Sequence, residues 1–178
     1  TYKTLYSVIK DCNMVIGNMD DTESDLARTL LGTAWSIRSI CYYNLMQRYC
    51  EPYQPETAKE TLGLPLVDDF DMEAKPARAN LKETAEFIEE GFRKALSYNV
   101  SNEDFIFTSS VTKAYFARFF FWTQNWSSAI TYAKEVLEKY PMLEADEYVE
   151  AINQKQAKAH NVIIRSFTMD DDIGTMSY

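Results

Sequence analysis

The sequence predicts a mainly α-helical domain, and three observations carry that prediction. Only 5 Gly and 5 Pro are spread over 178 residues, too few for an architecture of short strands and turns. Apolar residues make up 46% of the chain, enough for a real core at the length of one domain. Those apolar residues recur at helical spacing, not in strict alternation. No run reaches the roughly 18 apolar residues that a membrane-spanning helix needs. The formal charge of −9 has the wrong sign for a nucleic-acid binder, and no basic stripe offsets it.

The first helix is read over residues 2–19, where Leu5, Ile9, Cys12, Ile16 and Met19 recur at steps of four, three, four and three. The acidic stretch 20–25 breaks that stripe and precedes a longer helix that runs to Tyr49. Carboxylates are favoured there by the partial positive charge of the helix N-terminus. The Gly and bidentate Glu of a calcium loop are not in place, so the stretch reads as a solvated cap. Leu30, Ala34, Ile37, Cys41 and Leu45 line one face of the second helix, among Trp35, Tyr42, Tyr43 and Tyr49.

Pro52, Pro55, Pro65 and Pro76 then punctuate a long connection in which helical periodicity vanishes. Its apolar residues Leu62, Leu64, Leu66, Val67 and Phe70 predict that it packs down as irregular structure. Helical pattern resumes at Leu81, with Asn80 as N-cap and Glu83 as its capping-box partner. Ala85, Ile88, Phe92 and Ala95 form the buried stripe of this helix. Two more helices are read over 110–123 and 126–140, and the two residues between them, Gln124 and Asn125, permit only an antiparallel hairpin. A polar helix over 144–158 follows, then a β-branched run, Val162, Ile163 and Ile164, that reads as a short strand. The acidic tail Asp170, Asp171 and Asp172 reads as an exposed end. The organisation is thus a first helix pair (1–50), a Pro-containing connection (51–80), further helices (81–158) and a strand with tail (159–178).

Cys12, Cys41 and Cys50 are an odd number and fit no zinc spacing. Cys12 and Cys41 fall on apolar stripes, where a free thiol behaves as a small hydrophobe. The chain opens on Thr1-Tyr2-Lys3 with neither a charged n-region nor an apolar h-region, so either the protein is not exported or a leader has been removed.

The hairpin at 110–141 carries a repeat-like spacing. Ala117 stands three residues before Phe120, Ala129 falls twelve after Ala117, and Pro141 twelve after Ala129. This resembles a tetratricopeptide (TPR) unit, although Lys113 and Ala133 stand where that repeat usually has aromatics. One such hairpin cannot bury its own apolar face, so it must stack on others. The predicted architecture is a right-handed superhelix of TPR-like stacked hairpins, with a long irregular connection and a short C-terminal strand.

The order of motifs resembles the SusD/RagB family of outer-membrane nutrient-binding lipoproteins of Bacteroidetes. Leu5-Tyr6 through Asn13 is similar to its opening Leu-Tyr…Ile…Asn helix, and Gly32-Thr33-Ala34 through Leu45 to its Gly-Glu-Ala…Leu-Arg-Ala signature. Tyr49-Cys50-Glu51-Pro52, Gly63-Leu64-Pro65, Pro76…Arg78, the 88–96 helix, Asn125-Trp126…Ala129 and Asn161-Val162-Ile163-Ile164 continue the series. Thr33 replaces the usual Glu, Ser39 the usual Ala, Cys50 the usual Gly, and Gly91-Phe92 the usual Asp-Leu.

The resemblance implies a surface lipoprotein of which this chain is the helical middle. The signal peptide and lipid-anchor Cys would lie outside it, and Cys12, inside a helix, is not that anchor. It implies non-catalytic capture of an oligosaccharide or other polymeric nutrient and delivery to a SusC-type TonB-dependent transporter, with these repeats as the scaffold. The alternative is a generic TPR-like adaptor that grips a peptide in its groove.

The residues themselves offer no catalytic group, metal site or cofactor loop. His160 stands in a polar stretch with no nucleophile or second ligand beside it. Glu89-Glu90 and Asp68-Asp69 are neighbours in sequence, and adjacent carboxylates on a helix diverge instead of facing each other across a cleft. Phe119, Phe120, Phe121 and Trp122 wrap one helix and read as core. Tyr53 and Trp126, in or beside loops, are the two rings singled out for ligand contact, since sugar binders stack pyranose faces on such rings.

Overall fold

The structure, a computed structural model, describes residues 1–20, 24–69, 76–102, 106–153 and 163. Its elements are α1 (Tyr2–Asn18), α2 (Asp25–Tyr49), β1 (Leu62–Pro65), β2 (Arg78–Asn80), α3 (Leu81–Ser97), α4 (Ser109–Trp122), α5 (Trp126–Lys139) and α6 (Ala145–Asn153). α2 is the central helix, packed between α1 and α3, while α4 and α5 form a hairpin that joins the stack through α3.

Each helix starts where local chemistry favours it. Ser24 accepts from the Ala27 amide at 3.1 Å to cap α2. Asn80 and Glu83 make the reciprocal bonds of a capping box at 2.8 and 3.2 Å, which starts α3. Asn125 caps α5 through the Ser128 amide. The helix ends follow the sequence reading closely, except that α6 is described only to Asn153. The rest of that polar helix, the tail, His160, Phe70, and Val162 and Ile164 of the expected strand lie outside the described residues.

Among its described residues the long connection is largely irregular, as expected, but two short strands form within it. β1 and β2 pair antiparallel, with Leu62 opposite Asn80 and Pro65 opposite Arg78. The Arg78 side chain donates to the Gly63 carbonyl at 2.7 Å, and the Leu64 amide donates to Thr84 Oγ1 at 3.0 Å. Strands this short carry no readable alternation, and partners thirteen or more residues apart are invisible to a local pattern.

Two places in the core explain small residues. A side chain at Gly91 would run into Ser39 of α2, so the close approach of α2 and α3 requires glycine there. Ser39 and Gly91 therefore face each other: the hydroxyl on one helix lies where the other carries no side chain. The second is the α4–α5 hairpin, where Ala129 is buried and lets Tyr132 lie against Phe116 and Phe120, with centroids at 4.7 and 5.7 Å.

The aromatic run on α4 divides in two. Phe119 and Phe120 are buried as expected, whereas Phe121 is 63% and Trp122 36% exposed. Consecutive residues on a helix point about 100° apart, so four in a row cannot all enter one core. Phe121 meets Trp126 edge-on at 5.3 Å. With Ile130 and Leu137 these rings leave an exposed apolar stripe on the outside of the hairpin.

Candidate functional site

The turn between α4 and α5 positions both rings singled out from the sequence. α4 ends with the Gln124 amide donating to the Phe121 carbonyl at 3.2 Å and the Asn125 amide to Phe120 at 2.9 Å. This double bond pattern needs a left-handed residue just past the helix, a place where glycine is usual. Here Gln124 takes it, at φ 63°. A non-glycine residue in that conformation costs roughly 1–2 kcal/mol. What its side chain returns is a tie to the long connection: Gln124 Nε2 donates to the Tyr53 carbonyl at 2.9 Å and to Gln54 Oε1 at 3.1 Å.

That tie closes one wall of a cleft of about 260 Å³ lined by Tyr53, Pro55, Glu86, Glu89, Gln124 and Asn125. Tyr53 is half-buried, and its hydroxyl pKa is raised, first by burial and then by Glu86 and Glu89, against the opposing pull of Lys82. The phenol therefore stays protonated at neutral pH and can donate. Amides, carboxylates and one ring together can hydrogen-bond a hydroxyl-rich ligand and stack on its apolar face. Trp126 lies beside the same turn, 52% exposed, but lines no part of this cleft. The structure thus places the two rings near one turn without bringing them onto one wall.

Glu86, Glu89 and Gln124 were not legible as site residues. Glu89 takes part in an ion pair with Arg93 at 2.6 Å, while its neighbour Glu90 is exposed on another side of α3. Their divergence is what the sequence predicts. Only their contact with the 53–55 loop, far off in sequence, makes Glu86 and Glu89 part of a wall.

A second arrangement holds the stretch at the end of β1 and beyond it. Tyr6 donates to the Pro65 carbonyl at 2.8 Å. The Tyr42 hydroxyl accepts from the Val67 amide at 2.8 Å and donates to the Val67 carbonyl at 3.1 Å. Asn13 Nδ2 donates to the carbonyls of Val67 and Asp69, and its Oδ1 accepts from the buried Arg38 guanidinium at 2.8 Å. Arg38 also lies 4.1 Å over the Trp35 ring. Burial lowers its pKa, opposed by the pull of Tyr42, Cys12, Asp68 and Glu90. Polar residues of the first hairpin thus fix the backbone of residues 65–69.

Burial pushes the Cys12 thiol up to about 11 and the Cys41 thiol to about 12, so both are protonated and unreactive at neutral pH. Among the described residues no group of three His, Cys, Asp or Glu could hold a metal ion. Nor, among them, is any helix long and apolar enough to cross a membrane.

Residues 1–121 match the SusD-like family, described as "Starch-binding associating with outer membrane". No curated protein matches the chain. Among solved structures it is similar to a SusD superfamily protein of Bacteroides thetaiotaomicron VPI-5482, with 20% identity and a TM-score of 0.74 over 84% of this chain and 35% of that one. It is also similar to a SusD-like carbohydrate-binding protein of Bacteroides vulgatus ATCC 8482, with 21% identity and a TM-score of 0.68 over 81% and 32%. A laminarin-binding SusD-like protein matches with 14% identity and a TM-score of 0.62 over 80% and 30%. The chain spans about a third of the length of these relatives.

Proposed function

Because the chain belongs to the SusD-like family, we propose that it is the helical scaffold of a surface nutrient-binding protein that captures oligosaccharide without breaking a bond. The family match over residues 1–121 is the single observation that carries this reading. Relatives of the same fold include proteins named for carbohydrate and laminarin binding. In this reading residues 1–178 form one helical repeat domain, held at the outer membrane by a lipid anchor outside this chain. The ligand passes to a SusC-type TonB-dependent transporter, and no catalytic group or cofactor takes part.

Within the chain, Tyr53 and Trp126 are the ring contacts proposed for a glycan, with Glu86, Glu89 and Gln124 accepting or donating to its hydroxyls. Calorimetric titration of the full chain with laminari-, malto- and xylogluco-oligosaccharides tests this. Binding is expected, and Tyr53→Ala or Trp126→Ala is expected to weaken it about 2- to 10-fold, the worth of one ring contact. Absence of binding to every glycan, with tight binding to an unfolded peptide, would replace this reading with a peptide-gripping adaptor. Delivery is tested by whether the protein co-purifies with a TonB-dependent transporter from outer membranes.

A further inference from the structure

A second cavity lies away from the Tyr53 cleft, where the end of α1, the first half of α2 and the end of α3 converge. It measures about 530 Å³, room for one or two sugar rings, and its walls include Trp35, Tyr98, Leu31, Lys94, Asn18 and Asp20. Trp35 and Tyr98 are both half-buried, so each ring is held by packing and still reaches the cavity. Two cations attend Tyr98: the Lys94 ammonium stands 5.4 Å from the ring centroid and the Arg28 guanidinium 5.9 Å. Of these two cations, Lys94 lines the cavity itself.

We propose that this cavity is a subsite for an acidic saccharide, with a uronate carboxylate at Lys94 and an apolar sugar face against Trp35 and Tyr98. This rests on the glycan reading above for the saccharide nature of the ligand, and adds to it a charge class and a place. Lys94 is exposed and makes no ion pair with a described carboxylate, which leaves its ammonium free to meet an anion. Asn18 and Asp20 can take hydrogen bonds from sugar hydroxyls. A neutral sugar would satisfy the rings and leave the cations unused. A simple inorganic anion would use the cations and leave the rings bare.

The chain has 3 Trp, and each indole N–H gives its own NMR signal, assignable by single Trp→Phe replacement. Titration of the full chain with tetragalacturonate is expected to move the Trp35 signal. Lys94→Gln is expected to weaken that binding roughly tenfold or more, as loss of a charge-assisted contact does. Raising NaCl from about 0.05 to about 0.5 M is expected to weaken it as well. Lys94 is exposed, so this variant retains its fold, which thermal unfolding checks. The proposal is overturned if tetragalacturonate leaves Trp35 unmoved, if Lys94→Gln binds it as well as the parent chain, or if neutral laminaritetraose moves Trp35 equally. Laminaritetraose that moves Trp126 alone, with Trp35 silent to both ligands, overturns this subsite and upholds glycan capture. Failure of every oligosaccharide to bind overturns glycan capture itself.

Discussion

The two helical hairpins that bracket the molecule are held by different chemistry. Between α1 and α2 the contact is partly polar: Asn13 spans from the Arg38 guanidinium to the carbonyls of Val67 and Asp69, and Tyr42 grips Val67 twice. Between α4 and α5 it is aromatic, with Tyr132 of α5 lying against Phe116 and Phe120 of α4, and Phe116 also meeting Phe92 of α3. Directional bonds specify one geometry and fail when a partner is lost, whereas packing tolerates change as long as volume is kept. The first hairpin can therefore place a backbone segment to within a bond length. The second supplies bulk cohesion and leaves a second apolar stripe exposed.

The largest effect should come from emptying the aromatic hairpin. Phe116→Ala is expected to cost about 3–5 kcal/mol in urea denaturation, while Phe116→Leu, which keeps most of the volume, should cost about 1.5 kcal/mol or less. The polar hairpin should show the reverse tolerance. Asn13→Leu is of similar size but strands a buried guanidinium, at about 3 kcal/mol. The Val67 amide should then exchange with deuterium faster while α4–α5 amides keep their rates. Equal tolerance to leucine at positions 13 and 116 would erase the distinction between the hairpins.

A smaller effect tests the helix contact between them. Gly91→Ala should cost about 1–3 kcal/mol by overpacking against Ser39, and adding Ser39→Ala should restore most of it. A double variant no better than the single one would show that Ser39 is not what requires glycine at position 91.

The smallest is a pH effect confined to the first hairpin. Cys12 and Cys41 titrate at about 11 and about 12 when folded, above the roughly 8.5 of a free thiol. The unfolded chain then releases protons that the folded chain keeps, so stability is full below about pH 8.5 and falls as pH rises toward 11–12. Replacing both cysteines with Ala should flatten that fall between pH 9 and pH 10 by on the order of 1 kcal/mol for each thiol. An unchanged slope would assign the alkaline loss to the tyrosines.

Much of the fold was legible because it is local. The stripe through Ile9 and Cys12, the Asn80–Glu83 capping box and the tight turn through Gln124 and Asn125 each need only a few adjacent residues to be read. Less of the candidate site was legible. Tyr53 and Trp126 could be picked as rings near loops, but Glu86 and Gln124 gave no signal, since their role depends on the 53–55 loop folding back across some seventy residues to reach Gln124. The exposed Phe121 and Trp122 look like core residues in the sequence, because composition does not say which side of α4 the partner helices will cover.

By itself the sequence determined the helices, their caps, the hairpin turn and the family pattern, because hydrogen-bonding period and capping act over one or two turns of chain. The tertiary structure alone decided which aromatic faces are covered, that Asn13 meets Val67, that Ser39 meets Gly91, and where Trp35, Tyr98 and Lys94 converge. Those are distances between residues far apart in the chain, fixed only when the packed helices leave each side chain one place to go.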